Sequence, residues 1–162
     1  MIRKTKTAKE IIAMEERYNL NELAMMTGFT TRTLRNYMNQ GLLKGEKING
    51  AWQFTAQEID SFFSEPFVKE GLRIKRSSLV FDFMADSRKT SERSCVILDI
   101  PASLGKGNAV SAFFCDRIAE VSDIKFNYGW DHGTCRVILT GAADSVAAIM
   151  KAYYASDLND RP

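Results

Sequence analysis

A chain of 162 residues and 18.3 kDa has room for one ordinary domain or two small joined ones. Its 45% hydrophobic and 26% charged residues are globular proportions, which excludes a wholly disordered chain. No apolar run nears the ~18 residues of a membrane span, three cysteines are too few for a disulfide framework, and the basic start Met1-Ile-Arg-Lys-Thr-Lys6 is not followed by a signal-peptide core, so a cytoplasmic protein is expected.

Charge divides unevenly. Residues 1–76 hold 13 lysines and arginines against 9 acids, a net of +4, whereas residues 77–162 hold 9 against 11, a net of −2. A basic first half beside a slightly acidic second half suggests a nucleic-acid module attached to something else.

Residues 8–17 are amphipathic, suited to a short helix or part of an arm. Asn19 then stands as a helix cap with Glu22 three positions on, a capping-box variant, and Leu20, Leu23, Ala24 and Thr27 share the face of the helix that follows. Gly28 stops it in a left-handed conformation. Thr30 caps a second helix over 31–40, and Gly41 ends that one. Phe29, Leu34, Tyr37 and Met38 form an apolar seam back to Leu23 and Ala24, so the pair reads as a helix-turn-helix. Thr31, Arg32, Arg35 and Asn36 lie away from that seam, on the half of the second helix that can enter a major groove. Arginine suits guanine edges and asparagine suits adenine.

Asn49-Gly50 is a hairpin signal between arms at 47–48 and 51–54. Ile48 with Trp52 or Phe54 covers the helices, and Lys44 and Lys47 are candidate phosphate contacts. The hairpin thus reads as a wing. Thr55 caps a third helix with Ile59, Phe62 and Phe63 inward.

The run Leu23–Leu43, with Thr33-Leu34-Arg35-Asn36-Tyr37 at its core and Gly41-Leu42-Leu43 after it, resembles the DNA-binding domain of MerR-family transcription regulators. The resemblance covers about residues 18–65. It implies backbone and base contacts for Arg35 and Tyr37. Asn36 stands where a second tyrosine is common, and Trp52 where the family usually carries a wing arginine. The run Gly50-Ala-Trp-Gln-Phe54 is instead similar to the wing of excisionase-like domains. The candidate DNA-contacting set is Thr31, Arg32, Thr33, Arg35, Asn36, Tyr37, Lys44 and Lys47.

Pro66 suits the first turn of a linking helix over 67–87, with Val68, Leu72, Leu79, Val80, Phe83 and Met84 as its apolar stripe. The stripe serves dimerisation or packing on the second half. A polar linker spans 86–94. Beyond it the spacing predicts a strand at 95–100, a helix from Lys106 or Asn108, strands at 121–129 and 134–140, and a helix at 142–154. That order, βαββα, is ferredoxin-like without its last strand. The expected class is therefore α+β: a winged helix-turn-helix (1–65), a linking helix and linker (66–93), and a βαββα unit for dimerisation or effector binding (94–162).

The chemistry-bearing residues of the second half point to no reaction. Leu104-Gly-Lys-Gly-Asn108 lacks nucleotide-loop spacing and reads as an ordinary connection. Cys95, Cys115 and Cys135 form no Cys-x-x-Cys pair, so neither a structural metal nor a cofactor is expected. His132 reads as a turn residue, and Asp99 and Asp123 as a candidate carboxylate pair. The expected function is a homodimeric, sequence-specific binder of double-stranded DNA that regulates transcription, with a small-molecule effector as a further candidate partner of the second half, and neither enzyme activity nor a membrane role. The alternatives are an excisionase-like architectural protein and a protein-interaction adaptor built on the same scaffold.

Overall fold

The computed structural model describes residues 17–131 and 133–159. The amphipathic stretch expected before Arg17, and His132, which was expected in a turn, lie outside them.

The first half folds as β1 (Arg17–Asn19), α1 (Leu20–Thr27), α2 (Thr31–Asn39), β2 (Glu46–Ile48), β3 (Ala51–Thr55) and α3 (Ala56–Ser64). The caps form as local chemistry dictates. At the start of α1 the Glu22 N–H donates to Asn19 Oδ1 at 2.9 Å, and the Asn19 N–H donates to Glu22 Oε2 at 2.7 Å. Thr55 and Glu58 repeat this box at α3, at 3.2 and 2.8 Å. Each box satisfies two otherwise orphaned helix-start donors. Strand β1 was not expected: it pairs antiparallel with β3, so the hairpin belongs to a three-stranded sheet in the order β1-β3-β2. Phe54, Phe62, Leu23 and Leu34 are wholly buried between that sheet and the helices.

Helix α4 (Pro66–Ala85) follows, with proline in its first turn. The expected apolar stripe is divided. Val68 and Leu72 are buried, Leu79, Val80 and Phe83 are half-buried, and Met84 is exposed. Phe67, Ile74, Phe81 and Met84 instead form an outward apolar row, with the first three at seven-residue spacing.

The second half contains β4 (Arg93–Pro101), α5 (Leu104–Ile118), β5 (Lys125–Asp131), β6 (Thr134–Ala142) and α6 (Ala143–Tyr154). The three strands form an antiparallel sheet in the order β4-β6-β5. Helices α5 and α6 cover one face, where Phe114 stacks on Phe126 and Tyr153 with centroids 6.0 and 5.4 Å apart.

Three expectations here are corrected. Helix α5 starts at Leu104, because Ser103 caps it by accepting from the Lys106 N–H at 3.3 Å, so the glycine-rich run is the helix's first turn rather than a loop. Gly107 sits there because a Cβ would lie 2.7 Å from the Tyr128 hydroxyl. Strand β5 begins at Lys125 rather than at 121, and the strict alternation expected of it is absent: Asn127 and Gly129 are buried as well as Phe126 and Tyr128. Both faces are covered, one by α5 and the other by Gly28, Lys75 and Arg76. Finally, Asp99 and Asp123 form no carboxylate pair. Asp99 takes a two-pronged bond from Arg136 at 2.7 Å, and Asp123 accepts from the Ala142 N–H at 3.1 Å.

The two halves share one continuous apolar core. Helix α1 packs along β5 and against α5. The Tyr18 side chain of β1 is buried, and its hydroxyl donates to the Asn108 carbonyl of α5 at 2.8 Å.

Candidate nucleic-acid interface

Helix α2 is held by contacts that leave one side of it bare. Gly28 adopts φ +74°, and its N–H closes α1 on the Ala24 carbonyl at 2.9 Å. Buried Thr27 stitches the turn: its hydroxyl donates to the Leu23 carbonyl at 2.7 Å and accepts from the Phe29 N–H at 3.1 Å. Thr30 then caps α2, accepting from the Thr33 N–H at 3.1 Å. Leu34 is fully buried, and the Tyr37 ring lies among Phe29, Phe62 and Phe67 at 5.4–6.3 Å. At the far end Gly41 turns at φ +76°, and the Leu42 and Leu43 N–H groups return to the Tyr37 carbonyl.

The opposite side of α2 carries Arg32, Arg35 and Asn36, all exposed, with Thr31 and Thr33 half-exposed. Thr33 Oγ1 is 2.9 Å from Thr30 Oγ1, within the cap itself. Beside α2 stands the β2–β3 hairpin. Asn49 and Gly50 turn it with φ +52° and +82°, the double left-handed geometry of a type I′ turn. Lys44 and Lys47 are exposed at its base and on β2. A groove of about 580 Å³ runs between helix and hairpin, lined by Arg35, Met38, Asn39, Lys44 and Trp52. Arg35 and Lys44 thus share one surface, while Tyr37 is set apart from it at 8% exposure. Trp52, expected mainly as core, is half-buried and forms part of the groove.

Among the described residues no carboxylate is within 4.0 Å of Arg32, Arg35, Lys44 or Lys47. Arg17, Lys69, Arg73 and Arg136 by contrast are all ion-paired. Unpaired cations beside an exposed helix N-terminal half make a surface that attracts polyanions.

Residues 18–62 match the family model described as MerR HTH family regulatory protein. They form a MerR-family helix-turn-helix region. The match ends within α3, and residues 63–162 lie outside it. No curated protein and no solved structure matches the chain. The MerR-family region is therefore coupled to a second half that the comparison leaves unassigned. In that half, burial pushes the Cys115 thiol up to about 12 and the Cys135 thiol to about 11, and among the described residues no three His, Cys, Asp or Glu side chains gather as a metal site. No described helix is long and apolar enough to cross a membrane.

Proposed function

We propose that the protein is a sequence-specific, double-stranded DNA-binding transcription regulator that acts as a homodimer in the cytoplasm and is not an enzyme. The observation that carries this reading is the bare side of α2, where Arg32, Arg35 and Asn36 are exposed and Arg35 lines a groove together with Lys44 at the base of the hairpin. In this reading α2 enters the major groove from its N-terminal half, Thr31 and Thr33 stand near the phosphates, and the hairpin acts as a wing over the flanking backbone. Tyr37 supports α2 from beneath and presents at most its edge to DNA.

The chain divides functionally into the reading unit (1–65), the linking segment (66–93) and the C-terminal unit (94–162). The strand order β4-β6-β5, with two helices on one face, supports a ferredoxin-like plan lacking its last strand. Dimerisation is the role assigned to α4 or to the C-terminal unit, and the outward row Phe67, Ile74 and Phe81 supports self-association. An effector held by the C-terminal unit would act by preferring one dimer geometry.

Selection of bound fragments from random duplex DNA tests this reading. Enrichment of a paired half-site that is lost steeply as salt rises is expected. A chain that retains no duplex even at low salt overturns it.

A further inference from the structure

The C-terminal sheet has two edges that are treated differently. The β5 edge is covered by α1. Along β4, among the described residues, no strand lies outside it.

The backbone direction at that open edge follows from the ladder. The Ala102 N–H donates to the Gly133 carbonyl and the Ala143 N–H to the Glu92 carbonyl, both in register with the β4–β6 pairing. Even-numbered residues of β4 therefore face β6 with their N–H and C=O groups. Odd-numbered residues, Arg93, Cys95, Ile97 and Asp99, direct theirs outward. Pro101, which has no N–H to offer, also falls at an outward position, where proline is tolerated. The side chains of Cys95, Ile97 and Asp99 share the sheet face opposite α5 and α6, and Ile97 is 52% exposed.

We propose that this edge pairs with the same edge of a second copy, antiparallel about a two-fold axis at Val96, to give a continuous six-stranded sheet. The proposal rests on the homodimer part of the function above and names its surface. Charge and proline select the register. With Val96 facing Val96 of the second copy, Arg93 stands opposite the second copy's Asp99, twice, and Cys95 stands opposite Ile97. Four hydrogen-bonded pairs contribute about eight backbone bonds, and Pro101 falls beyond the paired stretch. Shifting the axis to Ile97 would set Pro101 against Arg93 and lose the charge match. Asp99 keeps its bonds to Arg136, since a carboxylate has about four acceptor sites. An unrelated strand would find unmatched charges here, whereas the chain's own copy finds opposite ones, as an isologous interface requires.

Disulfide trapping tests the register in the full chain with Cys95→Ser. Val96 and its copy form a non-hydrogen-bonded pair, about 4.5 Å between Cα atoms, inside the range a disulfide spans. Val96→Cys is expected to give a covalent dimer under mild oxidation, and Ile97→Cys is not. Arg93→Glu, at an exposed strand start, is expected to weaken self-association at least tenfold in sedimentation at low salt. A wild-type dimer whose Val96→Cys form stays uncrosslinked and whose affinity ignores Arg93→Glu overturns the edge pairing and leaves the Phe67–Ile74–Phe81 row as the contact. Preferential trapping by Ile97→Cys overturns the register and with it the proposal. A wild-type monomer overturns both this pairing and the homodimer reading, while DNA selection judges the DNA-binding reading separately.

Discussion

The hydroxyl of Tyr18 lies 2.8 Å from the hydroxyl of Ser111, joining the first strand of the helix-turn-helix half to a buried turn of α5. The two residues are 93 positions apart in the chain. Ser111 in turn is 2.9 Å from the Asn108 carbonyl, which Tyr18 also reaches. This small polar knot sits in an apolar boundary, where an unmade bond is costly.

Tyr18→Phe removes the hydroxyl and keeps the ring. The expected loss is about 1–2 kcal/mol, and each kcal/mol lowers the melting temperature by about 3 °C in a chain of this size. Thermal unfolding followed by circular dichroism reads this directly. An unchanged midpoint would mean that the knot contributes nothing to holding the halves together.

Arg35→Ala is expected to weaken duplex binding at least about tenfold, roughly 1.4 kcal/mol. The side chain is exposed and lines the groove between α2 and the hairpin, so the fold should survive its removal. Fluorescence anisotropy with a selected duplex, beside an unfolding curve, separates lost binding from lost structure. Full affinity in a folded variant would move DNA contact away from this groove.

Gly45→Ala tests how closely the hairpin approaches its core. A Cβ there would lie 2.5 and 2.6 Å from two carbons of the Phe54 ring and 2.9 Å from the Gln53 carbonyl oxygen. Phe54 is wholly buried and has nowhere to retreat. A cost of about 1–3 kcal/mol is expected from overpacking, visible as a lower urea midpoint with an unchanged slope.

Alkaline pH should loosen the C-terminal core through its thiols. Burial raises Cys115 to about 12 and Cys135 to about 11, from an ordinary value of 9.0. Between those values the unfolded chain ionises where the folded one does not, so it binds fewer protons and stability falls as pH rises. The contribution is complete below about pH 9 and is lost progressively toward pH 11–12. Urea midpoints at pH 8 and pH 10.5 measure the slope, and Cys115→Ala is expected to flatten it. An equal slope in that variant would place the effect elsewhere.

What the amino-acid order foretold is what neighbours in the chain decide. Asn19 with Glu22, Thr30, Thr55 with Glu58, and the glycines at 28 and 41 act within a few residues of themselves, and each formed as its chemistry demanded. Strand β1 escaped because a three-residue strand has no period to read and exists only through β3. The start of α5 was hidden by Gly105 and Gly107, whose poor helix propensity outweighed the cap at Ser103. Strand β5 was misjudged because alternation assumes one wet face, and α4 and the α1 terminus cover that face. At the interface, the seam of Leu34 and Tyr37 told which side of α2 stays bare. The half-exposure of Trp52 followed from how the hairpin leans on the helix, a tertiary fact without a local signature.

Helix α1 packs on β5 on one side and on α2 on the other, so α2 is carried by an element seated on the C-terminal sheet. In the DNA-binding role proposed above, α2 is a tool mounted on that chassis. Two joined copies would then hold their tools at a single separation, and the DNA becomes a caliper for the assembly. Inserting five base pairs between half-sites should abolish joint occupancy, and inserting about ten should restore the helical phase.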